Sequence, residues 1–177
     1  LGSHGVKGFA DIGCDHGYLP IEAVKRKIVD YAIASDNKMG PYLKAKNNIE
    51  LALLSDKIEV RLEEGVGRYP DSINAISILG MGGELMVDIL EKANLDPIST
   101  LILGPNSETK QLRYFLQNHN FMIEDESFIK DHGHYYQIIR AVRGKMVLSL
   151  SDATFGPLNI KRKNPIMIEF VNKEIVK

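Results

Sequence analysis

Apolar positions in the first two-thirds of this chain come in short runs separated by longer stretches of helical spacing. Gly8-Phe9-Ala10-Asp11-Ile12-Gly13 reads as a buried strand closing on a glycine turn, and Leu19 to Lys27 as a helix with Pro20 in its first turn. Tyr31 to Ser35 predicts a second strand. Pro41 to Leu54 predicts a helix whose apolar surface comes from Leu43, Ile49, Leu51, Leu53 and Leu54. Ile58, Val60 and Leu62 alternate as in a third strand, Ala75 to Leu79 makes a fourth, and Glu84 to Ala93 a helix. Thr100 to Leu103 is a fifth strand and Glu108 to Asn118 a helix. The rhythm then changes: Phe121 to Ile129 and His134 to Val142, joined by Lys130-Asp131-His132-Gly133, predict an antiparallel hairpin.

Alternating strands and helices imply an α/β fold built on a parallel sheet, to which the hairpin adds two strands, seven in all. After Gly144 the pattern weakens. Phe155-Gly156-Pro157-Leu158 reads as a turn. Asn164 is placed to cap a helix from Ile166 to Val176, with Pro165 at its first position. The expected organisation is therefore one domain over residues 1–146 and, over 147–177, the beginning of a helical extension that is still periodic where the sequence stops. The sequence starts without a Met, so trimming is expected.

Composition changes the picture only at two points. The single cysteine, Cys14, rules out an internal disulfide and a Cys-rich zinc site, which fits a reducing cytoplasm. Charge is uneven: residues 1–139 carry 14 Lys/Arg against 20 Asp/Glu, whereas residues 140–177 carry 8 against 3. A basic end could favour a polyanion, although on charge alone a solvated tail is the better reading. No run reaches the roughly 18 apolar residues of a membrane span. No His/Cys cluster suggests a metal, and His4, His119, His132 and His134 read as surface residues.

In an open parallel sheet, ligands bind beyond the carboxyl ends of the strands. The first strand ends in Asp11-Ile12-Gly13-Cys14-Asp15-His16-Gly17, whose glycine spacing is not the G-x-G-x-x-G of dinucleotide enzymes. Carboxylates beside a tight glycine turn suit a zwitterion such as S-adenosylmethionine better than a pyrophosphate. Asp36, past the second strand, is placed to accept ribose hydroxyls. Glu64, in Glu63-Glu64-Gly65 after the third strand, is the chosen acceptor for an adenine amino group, with a solvated acidic turn as the alternative. In Gly80-Met81-Gly82-Gly83 three glycines open a pocket floor and Met81 offers a polarizable face to a purine. Asn106, in Gly104-Pro105-Asn106, both donates and accepts, as reading a base edge requires.

These segments together resemble the bacterial tRNA (adenine-22-N1)-methyltransferase family, the TrmK type. The likeness is carried by Ala10 to Pro20, Gly40-Pro41-Tyr42-Leu43-Lys44-Ala45-Lys46, Gly80 to Gly83 and Leu101 to Asn106, with echoes in Gly133-His134-Tyr135-Tyr136 and Phe155 to Leu158. The chain departs from the family where Gln-Pro-Asn becomes Gly104-Pro105-Asn106, where Gly-Asp-Gly becomes Glu63-Glu64-Gly65, and where Glu becomes Asp36. The resemblance implies a Rossmann-like class I methyltransferase fold, with a seven-stranded, mostly parallel sheet. It also implies S-adenosylmethionine as cofactor and tRNA as partner. The residues it assigns to the cofactor are Asp11, Gly13, Cys14, Asp15, Gly17, Asp36, Asn37, Glu64, Gly65, Gly80, Met81 and Gly82. Tyr18, Gly83 and Asn106 are assigned to the acceptor. Asp11 and Asn106 are the catalytic candidates, Asp11 either stabilising charge on the base or holding the methionine end of the cofactor. Three rivals stay open at this point: another acceptor, a Rossmann-like NAD-binding protein, and a non-catalytic RNA-binding module.

Overall fold

A computed structural model describes residues 5–175. Seven strands form one sheet in the order β3-β2-β1-β4-β5-β7-β6. They are β1 (Gly8–Ile12), β2 (Tyr31–Asp36), β3 (Ile58–Leu62), β4 (Ala75–Gly82), β5 (Thr100–Ser107), β6 (Phe121–Asp131) and β7 (His134–Arg143). The hairpin adds its two strands at the β5 edge as expected, with β7 between β5 and β6. The helices are α1 (Tyr18–Lys25), α2 (Met39–Leu51), α3 (Gly83–Glu91), α4 (Thr109–Asn118), α5 (Leu150–Phe155), α6 (Pro157–Lys161) and α7 (Pro165–Ile175). The chain forms two compact units, one of residues up to Leu79 with Asp88–Ile102, the other of Gly80–Val87 with the chain from Leu103 onward.

In the first unit, β1 pairs in parallel with β2 on one side and β4 on the other, so strand order reverses at β1. Phe9, Ala10, Ala32, Ile33, Ala34, Ala75 and Ile76 are all buried, the continuous apolar composition of strands covered on both faces. Pro20, Ile21, Ala23 and Val24 of α1 are buried too. The α2 expectation needs correction: Ala45 and Ile49 are its buried residues, whereas Leu43, Leu51 and Leu53 are exposed, Leu53 to 86%. On β3, Ile58 is buried and Leu62 exposed, as befits an edge strand.

In the second unit, the hairpin turn is shorter than expected. His132 and Gly133 both take positive φ, 46° and 82°, so two residues close the hairpin and Asp131 pairs directly with His134. The register of β6 shifts between Ile123 and Asp125, so the inward positions beyond it are Glu126 and Phe128. Glu126 meets Arg113 of α4 at 3.0 Å with both side chains fully buried. Arg113 also donates to the Ala153 and Thr154 carbonyls and to Gln137 Oε1, while Glu126 Oε1 accepts the Leu158 and Asn159 amides. One ion pair thus ties α4, β6, β7, α5 and α6 together. Ser149 and Asp152 form a capping box on α5, and Asn164 Oδ1 accepts the Ile166 and Met167 amides as the predicted cap of α7. The expected end of that helix at Val176, like His4, lies outside the described residues. His119, His132 and His134 are exposed.

Candidate active site

The first unit gathers the acidic residues singled out in the sequence. Asp11 sits on β1 opposite Ser77 of β4 in the strand register, and is 5% exposed. Ser77 Oγ donates to its Oδ1 at 2.6 Å. Burial drives the Asp11 carboxyl up to about 7, with the Ser77 hydrogen bond holding it back. Among the described residues no cation enters that balance.

Beyond Asp11 the chain turns through Gly13 and Gly17, both at φ 71°, a conformation that favours glycine. Both the Gly13 and Cys14 amides donate to the Ser35 carbonyl at 2.9 Å, and the Gly17 amide to the Cys14 carbonyl. The Asp15 amide donates to Asp36 Oδ2 at 3.3 Å, and the Lys38 amide to Asp36 Oδ1 at 3.0 Å. The Gly13, Cys14 and Asp15 amides are thus engaged by the end of β2, and the Gly17 amide within the loop. What the loop offers outward is its shape, and Asp36 retains lone pairs beyond the two it has used. Cys14 is buried, and burial, followed by the Asp11 and Asp36 charges, pushes its thiol up to about 12, so it stays neutral. Asn48 pins the loop through the His16 carbonyl at 2.9 Å. The His16 and Tyr18 rings stack 5.3 Å apart, leaving Tyr18 64% exposed. Asn37 follows Asp36 as an exposed residue.

After β3, Glu64 is exposed and Gly65 partly buried, while Glu63 packs inward. The Glu63 amide donates to the Asp36 carbonyl, and its Oε1 and the Tyr69 hydroxyl are buried without a hydrogen-bond partner among the described residues. Sequence reasoning missed Glu63, Tyr69 and Ser77. For Ser77 the signal was available: a hydroxyl inside the apolar run Ala75 to Leu79.

The second unit holds the remaining candidates. Asn106, exposed at the end of β5, donates from Nδ2 to the Gly80 carbonyl at 2.8 Å. Gly80, at φ 75°, is exposed, and Met81 and Gly82 are partly buried at the end of β4. Gly83 opens α3 under close packing: a Cβ there would lie 2.5 Å from the Glu108 carbonyl oxygen and 2.8 Å from that of Ser107. Gly83→Ala is therefore expected to lower stability by roughly 1–3 kcal/mol, the usual cost of overpacking. A denaturant melt of the variant checks this, and an unchanged midpoint would contradict it. Among the described residues there is no group of three or more His, Cys, Asp or Glu placed for a metal, and no helix long and apolar enough to cross a membrane.

Strand order, the reversal at β1 and the acidic loop beyond it define a class I S-adenosylmethionine-dependent methyltransferase. A magnesium protoporphyrin IX methyltransferase from Synechocystis PCC 6803 shares this fold with a TM-score of 0.62 at 18% identity, over 79% of this chain and 71% of that one, a likeness of fold alone. Much closer is the structure of a Streptococcus pneumoniae protein, Sp1610, in complex with S-adenosyl-L-methionine. It is 39% identical with a TM-score of 0.92, over 98% of this chain and 83% of that one. A Bacillus subtilis (strain 168) tRNA (adenine(22)-N(1))-methyltransferase is 34% identical over 175 residues, spanning 94% of this chain and 74% of the relative. The profile of the TrmK family, tRNA (adenine(22)-N(1))-methyltransferase, matches residues 9–177, and the chain belongs to that family.

Proposed function

We propose that this chain transfers the methyl group of S-adenosylmethionine to N1 of an adenine in tRNA, and that it does so in the cytoplasm, with residues 1–146 as the catalytic domain and 147–177 as the start of a helical extension. The observation that carries the reading is Asp11: a buried carboxyl that, among the described residues, has the Ser77 hydroxyl and no cation beside it fits the positive end of that cofactor. A relative of 30% identity, the M. capricolum TrmK, was solved with S-adenosyl-homocysteine, which supports the cofactor assignment.

The cofactor supplies a methyl group already activated on a sulfonium, so the chain's work is alignment and charge. Asp11 holds the cationic end. Asp36 accepts ribose hydroxyls on the lone pairs left by Lys38 and Asp15. Gly13, Cys14, Asp15, Gly17 and Asn37 shape the cofactor's bed, and Glu64 with Gly65 takes its base. Gly80, Met81 and Gly82 belong to the same cofactor set. Adenine N1 attacks through an in-plane lone pair and needs no general base. Its product is cationic, so what the acceptor side must supply is a stable acceptor of hydrogen bonds. Asn106 meets this need: its Nδ2 is held by Gly80, which leaves Oδ1 to accept from an exocyclic amino group. The exposed ring of Tyr18 offers a stacking face. N1 lies on the Watson–Crick edge, so the base must be unpaired before it reacts, at a cost of about a few kcal/mol.

The test is incubation with methyl-labelled S-adenosylmethionine and unmodified bacterial tRNA, followed by digestion to nucleosides. Labelled 1-methyladenosine is the expected product. Cofactor binding without label in any tRNA nucleoside would overturn the acceptor assignment.

A further inference from the structure

We infer that Ser77 is a positioning residue of the methyl-transfer site: its hydroxyl holds the Asp11 carboxyl from β4 and leaves the second oxygen to the cofactor's cationic end. The inference rests on the methyltransferase reading above. Its geometry, however, stands independently of that reading.

Asp11 and Ser77 are direct partners in the parallel β1–β4 register, at the place where strand order reverses. The hydroxyl is completely buried and gives its only proton to Oδ1 at 2.6 Å. On the other side of β1, β2 presents Ala34 in register with Asp11, and the Ser35 hydroxyl reaches only the Asp11 backbone carbonyl, at 3.5 Å. Ser77 is thus the side chain that fixes the carboxyl. Around it, the titratable groups are Cys14, Asp15 and His16 in the loop and Asp36 at the end of β2. Cys14 stays a thiol, Asp15 and Asp36 bring acceptor oxygens, and His16 pairs with Asp15 at 3.3 Å. None of them substitutes for Ser77 as a donor to Asp11.

A hydrogen bond to an ionised group is worth about 1.5–3 kcal/mol, so removing it is expected to weaken cofactor binding about tenfold or more. It also favours the ionised carboxyl, so its loss moves Asp11 to a higher pKa. A serine that acted through packing alone would leave the Asp11 titration unmoved. The experiment is calorimetric titration of the full chain with S-adenosylmethionine between pH 6 and 9, for wild type, Ser77→Ala and Ser77→Cys. In wild type, affinity falls as the pH drops through about 7. In both variants that fall is expected at higher pH, with a melting temperature close to wild type. Variants that bind with the wild-type affinity and pH profile would overturn the inference. Carbon-13 NMR of the Asp11 carboxyl, without cofactor, decides the pair even if binding fails. A more alkaline titration midpoint in either variant supports the pair, and an unmoved midpoint overturns it. A wild-type chain that binds no cofactor at any pH would instead sink the methyltransferase reading.

Discussion

Glu126→Ala is expected to lower the melting temperature by about 6–20 °C, the largest stability effect of any single side chain described above. The estimate follows from roughly 3–5 kcal/mol for stripping one partner from a buried ion pair, at about 2–4 °C per kcal/mol in a chain of this size. Three groups lose their acceptor together. Arg113 is left charged and buried, and burial already lowers its pKa. The Leu158 and Asn159 amides lose the oxygen that they donate to at 2.7 and 3.1 Å. The double replacement Arg113→Met with Glu126→Leu removes the stranded charge but leaves those two amides open, so it should recover only part of the loss. Differential scanning calorimetry of both variants checks this. A loss below about 1 kcal/mol for Glu126→Ala would mean that the pair does not fasten α5 and α6 to the hairpin.

Asp11→Asn is expected to act in two opposite directions. Without cofactor it should stabilise the chain at pH 8. The folded-state pKa of about 7 lies above the ordinary 3.8, so the carboxyl adds stability while protonated and loses it as the pH rises through 7. The neutral amide escapes that cost, which is on the order of a few kcal/mol as an upper bound. Cofactor affinity should fall about 100-fold or more, because the variant removes a desolvated charge that faces a cation. Thermal melts from pH 3 to 9 and calorimetric titration separate the two effects. The stability gain should shrink as the pH falls below about 7 and vanish below the ordinary carboxyl value of 3.8, where Asp11 is protonated in the folded and the unfolded chain alike. Unchanged affinity would show that Asp11 does not hold the cationic end.

Much of this was legible in the sequence because buried parallel strands leave a plain trace. β1, β2 and β3 fell where apolar runs placed them, and the Asp11 to Gly17 turn announced itself by glycine and carboxylate together. The ends were harder to read. β4 and β5 continue to Gly82 and Ser107, past Leu79 and Leu103 where the apolar runs stop, so side-chain pattern ended before the strands did. In α2, Leu43 and Leu51 fit a helix by propensity while facing water, a distinction that composition does not make. Arg113 and Glu126 stayed hidden for a specific reason. The register shift after Ile123 changes which residues of β6 face inward, and turns a nominally ordinary surface glutamate into the centre of the second unit. Ser77 needed the strand register, which pairs it with Asp11.

The most direct test of the central claim is where the methyl group lands. Bacterial tRNA carrying adenine at position 22, treated with the chain and S-adenosylmethionine, is read by primer extension, since a methyl on N1 blocks the Watson–Crick edge. A new stop one nucleotide 3′ of position 22 is expected, and it should disappear when guanine replaces that adenine. A stop elsewhere, or one that persists in the guanine-22 tRNA, would contradict it.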